Sequence, residues 1–118
     1  MTDRAPEWRF ILCGGCCDAA EALAQEIGAV SSGRAVHIAS CLSVCKSPAT
    51  LAAQGEGRAT YVFAGIEAGD VADIAAFARA YDAAPHGWIA DARPLGRLRF
   101  KLVTRVPAAT DPQLKPPA

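Results

Sequence analysis

Five cysteines fall between positions 13 and 45, as Cys13-Gly14-Gly15-Cys16-Cys17 and Ser40-Cys41-Leu42-Ser43-Val44-Cys45, and none follows. Thiolates ligate zinc and iron–sulfur clusters, and close cysteine pairs also carry dithiol–disulfide exchange. Clustered cysteines in a reducing compartment read as metal or redox sites before they read as disulfides. An odd number also leaves one thiol over in any all-disulfide scheme. Four sulfurs from the two groups, brought to one point, would hold a [2Fe-2S] cluster or a Zn2+ ion. Cys13 and Cys16 alone would serve exchange.

The elements around the cysteines decide whether they meet. Trp8 to Leu12 is a short apolar run ending at glycines, which predicts a strand. Asp18 and Glu21 form a capping-box pattern, Leu23 and Ile27 stack at helical spacing, and Gly28 is expected as the left-handed stop. That predicts a helix over 18–27. Arg34 to Ser40 alternates as a second strand. Ala49 to Ala53 and Ala59 to Ala64, around the turn Gln54-Gly55-Glu56-Gly57-Arg58, predict an antiparallel hairpin. A second helix is expected from Gly69-Asp70, with Val71, Ile74, Ala75, Ala78 and Tyr81 on one face. Residues 84–94 read as a loop. The segment 95–106 fits alternation, but also a helix with Leu95, Leu98, Leu102 and Val106 on one side; Pro94 suits a first turn and favours the helix. Residues 1–107 are expected as one domain, and 108–118 as a disordered Pro-rich tail.

A strand-helix-strand unit of this length makes neighbouring parallel strands through a right-handed crossover. Both cysteine groups then leave the carboxyl edge of one sheet, where open α/β sheets place their sites. The glycines between Cys13 and Cys16 let backbone approach closely and leave amides to point at sulfur. The positive end of the following helix favours thiolate.

The span from Phe10 to Ile66 resembles the thioredoxin-like [2Fe-2S] ferredoxins, with two cysteines after the first strand and a C-x3-C pair before the hairpin. The chain is more closely similar to an uncharacterised bacterial family described as predicted metal-binding proteins. The matching motifs are Cys13-Gly14-Gly15-Cys16, Cys41-Leu42-Ser43-Val44-Cys45, Tyr61-Val62-Phe63, Ala78-Arg79-Ala80-Tyr81 and Thr104-Arg105-Val106-Pro107, across about 10–107. The resemblance implies a thioredoxin-like α/β fold, β-α-β-β-β-α with a mixed sheet and a C-terminal basic segment. It implies a [2Fe-2S] cluster on Cys13, Cys16, Cys41 and Cys45, tuned by the amides of Gly14, Gly15, Leu42 and Val44. The family match favours Cys16 over Cys17, which stays an alternative ligand, and it implies a homodimer. Two features depart from the ferredoxins: the first pair is closer together, and Cys17 is an extra thiol. Zn2+ binding or delivery, and thiol–disulfide exchange, remain open alternatives.

The chain has 118 residues, 12 basic and 12 acidic, for a formal net charge of zero. That balance argues against nucleic acid as the main partner. Asp3, Arg4, Glu7 and Arg9 break up the first ten residues, and no run approaches membrane-spanning length, so a cytoplasmic location is expected. Arg93, Arg97, Arg99, Lys101 and Arg105 form a basic run with no acid between Asp91 and Asp111. Such a run is a solvated face or a steering patch for an acidic redox partner. His37 and His86 read as mid-strand and surface-turn residues respectively. No serine–histidine–acid set, paired-acid motif or phosphate-binding glycine loop occurs, so an electron carrier or metal-binding protein fits better than a catalyst.

Overall fold

The computed structural model describes residues 8–14, 20–31, 33–39 and 49–117. Its elements are β1 (Trp8–Cys13), α1 (Ala20–Val30), β2 (Ala35–Ala39), β3 (Leu51–Gly55), β4 (Arg58–Phe63), α2 (Val71–Ala83) and β5 (Leu102–Val106), with short 3-10 segments at Ala68–Asp70, Pro85–Gly87 and Arg93–Lys101. The five strands form one mixed sheet in the order β2-β1-β3-β4-β5. Only β1 and β2 run parallel; β3 pairs antiparallel with β1, β4 with β3 and β5 with β4.

Alternation along the strands separates two faces. Trp8, Phe10 and Leu12 are buried while Arg9 is exposed. The buried set meets Leu51 and Ala53 of β3, Tyr61 and Phe63 of β4, and Leu23, Ile27, Ile74, Phe77 and Tyr81 of the two helices. Helices α1 and α2 also pack on each other, so both cover this face. At its centre the aromatic rings interlock edge-on, with Trp8–Tyr81 centroids at 4.8 Å, Phe63–Phe77 at 5.2 Å and Tyr61–Phe77 at 5.2 Å. Each such pair contributes about 1 kcal/mol beyond the area it buries.

Helix α2 follows its apolar spacing, with Phe77 joining Ile74, Ala78 and Tyr81 on the buried side. Two boundaries differ from expectation. Helix α1 does not stop at Gly28 but runs to Val30, and the left-handed glycine is Gly33, at φ 82°. The Ser31 hydroxyl lies 3.2 Å from the Gly28 carbonyl and 2.9 Å from that of Arg34, and so provides the polar contact at the helix end. The segment 95–106 is not one helix: it is 3-10 as far as Lys101 and strand from Leu102. Gly96, at φ 59° and ψ −131°, breaks the 3-10 segment, and the β-branched run that follows pairs with β4 as the fifth strand. Of the four residues assigned to one helical face, Leu95 and Leu98 are buried, whereas Leu102 and Val106 are not. The order is therefore β-α-β-β-β-α-β. Two turns follow β5 within residues 107–117, and Ala108 and Asp111 there are buried. Among the described residues no helix is long and apolar enough to cross a membrane.

Candidate metal centre

Cys13 ends β1, and in the parallel register its Cα partner is Ala39, the last residue of β2. Two backbone bonds close this corner. The Gly14 amide donates to the Ala39 carbonyl at 2.7 Å, and the Cys13 amide donates to the Thr50 carbonyl at 2.8 Å. The end of β1 thus holds both ends of the chain segment 40–48, which carries Cys41 and Cys45. Cys13 is 4% exposed and Thr50 is 1% exposed. Since Leu12 faces the helices, alternation places Cys13 on the opposite face of the sheet, together with Ile11 and Arg9.

Gly14 allows the close backbone approach that the sequence suggested, but its amide has a different partner from the one expected. Its amide is committed to the Ala39 carbonyl. A side chain at Gly14 would meet the Ile38 Cγ2 at 2.6 Å, so glycine is needed for close approach of β1 to β2. The same position lies 3.9 Å from the Cβ of Ala20. Ala20, the first described residue of α1, is therefore beside Gly14.

Cys16, Cys17, Cys41, Cys45, Gly15, Leu42 and Val44 lie outside the described residues. Among the described residues, no group of three or more histidine, cysteine or acidic side chains could hold a metal. His37 is exposed and pairs with Ile11, two residues short of the Cys13–Ala39 pair. It lines a cleft of about 740 Å³ at the other end of β1, with Trp8, Arg9, Arg34, Gln54 and Glu56. Arg34 there is held by Asp82 at 2.9 Å, which also accepts from the Trp8 indole at 2.6 Å. His86 is exposed in the Pro85–Gly87 turn, at φ 54°.

The basic run is largely bound within the molecule. Arg93 pairs with Asp91 at 2.9 Å, and its side chain, bonded to that carboxylate, holds Asp91 down to about 2. Lys101 Nζ donates to Asp70 at 2.5 Å and to the Gly65 carbonyl at 2.7 Å, while Arg97 approaches Glu67 and Asp70 at 3.8 and 3.9 Å. Arg105 donates to the Ile89 carbonyl and stacks on Trp88 with its guanidinium carbon 3.6 Å from the ring centre. Among the described residues, Arg99 and Arg105 are the members of the run with no carboxylate within ion-pair distance. Burial by itself would raise the Asp70 carboxyl. The Lys101 hydrogen bond, the Glu67 amide and the charges of Lys101 and Arg97 together hold it below the ordinary carboxylate value.

Residues 15–108 match the model of a family described as protein of unknown function (DUF1636), and the chain belongs to that family. No curated protein matches it, and no solved structure does.

Proposed function

We propose that this member of the family is a thioredoxin-like [2Fe-2S] protein that carries single electrons, or reports redox state, through a cluster on Cys13, Cys16, Cys41 and Cys45. The observation that carries the reading is the closed corner at Cys13. A strand-helix-strand unit, a hairpin and a helix follow one another in the order the resemblance implies. Cys41 stands two residues beyond Ala39, which limits its Cα to about 7 Å from that of Ala39, and parallel neighbours are about 4.8 Å apart. Cys16 is three residues beyond Cys13, a reach of about 11 Å. The donor set fits the group: a buried thiol beside short tethers to three more, as thiolate clusters require.

When bound, the cluster would supply one-electron chemistry. The chain's own residues do the rest. Cys13 and the Thr50 backbone shield the site from water on the sheet side. Gly14, locked to Ala39, fixes where the first loop leaves the sheet. Burial of Cys13 argues against its use in exchange, because attacking cysteines are partly exposed. Four-thiolate zinc is the second reading, resting on the same corner and the same cysteines.

The test is anaerobic purification followed by an absorption spectrum with iron, sulfide and zinc analysis. A brown protein with iron and sulfide in equal amounts is expected, and Cys41→Ser should lose both. A colourless protein with zinc would transfer the site to the second reading. A metal-free protein that reduces insulin disulfides, with Cys41→Ser still active, would defeat both in favour of exchange.

A further inference from the structure

The β5 edge of the molecule carries features that the cysteine site does not use. Phe100 is 76% exposed, Val103 50% and Val106 54%, and all three are close together in the chain with the half-exposed Leu102. Exposed apolar side chains gathered at one sheet edge suit an interaction site. Beside it lies an apolar cavity of about 150 Å³, lined by Phe63, Ile89, Leu95 and Leu102, with Arg99 and Arg105 among its walls. That is well below the usual size of a cofactor or small-molecule pocket, and it suits a single apolar side chain. The Arg99 guanidinium carbon sits 4.7 Å from the centre of the Phe100 ring, which joins the cavity wall to the exposed patch.

We infer that this surface docks an acidic segment of another protein, which places one apolar side chain in the cavity and its carboxylates on Arg99 and the neighbouring basic residues. Charge selects the occupant. The residues lining the cavity include two arginines and no acid, and neither Arg99 nor Arg105 has a carboxylate within ion-pair distance among the described residues. A second copy docked symmetrically would set Arg99 and Arg105 against their own kind, which like-charge repulsion disfavours. Plain strand addition to β5 is also disfavoured. The register between β4 and β5 shifts where Val62 pairs with Thr104 and Phe63 with Leu102, so Val103 is bulged, a feature that blunts edge pairing. Recognition must therefore run through side chains, an apolar anchor ringed by charge.

The position also ties the surface to the cysteine corner. Leu12, Leu51, Phe63 and Leu102 form one row across β1, β3, β4 and β5. Cys13 is one residue beyond that row, and three strand spacings amount to about 14 Å. A partner on β5 would thus stand at the same end of the sheet as Cys13. Docking itself requires no metal; only its use in electron transfer rests on the reading above.

The probe is the peptide acetyl-Asp-Glu-Leu-Phe-Glu-Asp-amide, titrated into 15N-labelled protein while amide shifts are followed. Shifts centred on residues 98–106, weakening as salt is raised, are expected. The same peptide with lysines for its acids, or serines for its Leu-Phe pair, should bind at least about tenfold more weakly, as should the variants Arg99→Glu and Phe100→Ser. Both substituted side chains are exposed, so folding should be unaffected. Cys41→Ser protein should bind the acidic peptide unchanged, which separates docking from the cofactor. No shifts at millimolar peptide, equal binding of the lysine peptide, or shifts elsewhere would overturn the inference. Self-association abolished by Phe100→Ser would overturn it in favour of a second copy.

Discussion

At the scale of single residues, the corner at Cys13 depends most on the residue beside it. Gly14→Ala would put a methyl group 2.6 Å from the Cγ2 of Ile38 and 3.4 Å from the Ala39 carbonyl. Cγ2 is attached directly to a branched carbon, so it cannot move aside without a change of rotamer. The expected cost is about 1–3 kcal/mol in chemical denaturation. Ile38 is 45% exposed, so Ile38→Ala alone should cost little, and adding it to Gly14→Ala should restore most of the loss. A full loss in the double variant would mean that the Ala39 carbonyl, not Ile38, is the obstacle. The sequence placed Cys13 at a strand end because an apolar run stops at glycines there. It could not show which face Cys13 occupies, because that follows from the strand's pairing. It also could not show that the Gly14 amide belongs to β2, because the partner carbonyl is twenty-five residues away.

Among the elements, the C-terminal segment is held to α2 by a charge cluster, and this makes a pH prediction. Asp70 is fully buried with Lys101 at 2.5 Å, and its folded-state pKa is lowered. A depressed carboxylate contributes stability that is complete above its unfolded value of about 3.9 and is lost as pH falls through the folded value. Asp70→Asn should therefore be less stable at neutral pH, by about 3 kcal/mol, since Lys101 loses its buried partner. It should also show a flatter fall in stability below pH 4, measured by denaturant midpoints across the acid range. Asp91 and Asp111 are lowered as well, so some slope will remain in both proteins. Parallel acid profiles would remove Asp70 from the account. The elements differ in how well sequence reveals them, for physical reasons. Helix α2 was legible because a single apolar stripe fits only a helix. The 95–106 segment was not, because its leucines satisfy both periods. Its outcome is set by the left-handed Gly96 and by pairing to β4, a tertiary contact.

On the scale of the whole molecule, Cys13 and the aromatic core lie on different faces of one sheet, and the fold should survive without the proposed site. The rings of Trp8, Phe10, Tyr61, Phe63, Phe77 and Tyr81 all pack on the helical face, joined by Leu12, Ile27, Leu51, Ile74 and Leu98. Burying each large apolar side chain stabilises the fold by about 1.5–3 kcal/mol, and a chain of this length does not need a metal to hold its core. A variant with serine at Cys13, Cys16, Cys17, Cys41 and Cys45 should therefore keep its far-ultraviolet circular dichroism and unfold cooperatively. Its melting temperature should fall, in part because Cys13→Ser sets a hydroxyl at a buried position. Hydrogen exchange gives the sharper measurement. Amides of β4 and α2 should be protected equally in loaded and metal-free protein, while those of Cys13 and Gly14 should gain protection on loading. The reason is the tether: any ligand that gathers the 40–48 segment also fixes Ala39 and Thr50, the two carbonyls that these amides bond. If the cysteine-free variant lacked a cooperative transition, the aromatic core would not suffice to fold the chain. The metal would then be a structural element, which would favour zinc over an electron-carrying cluster.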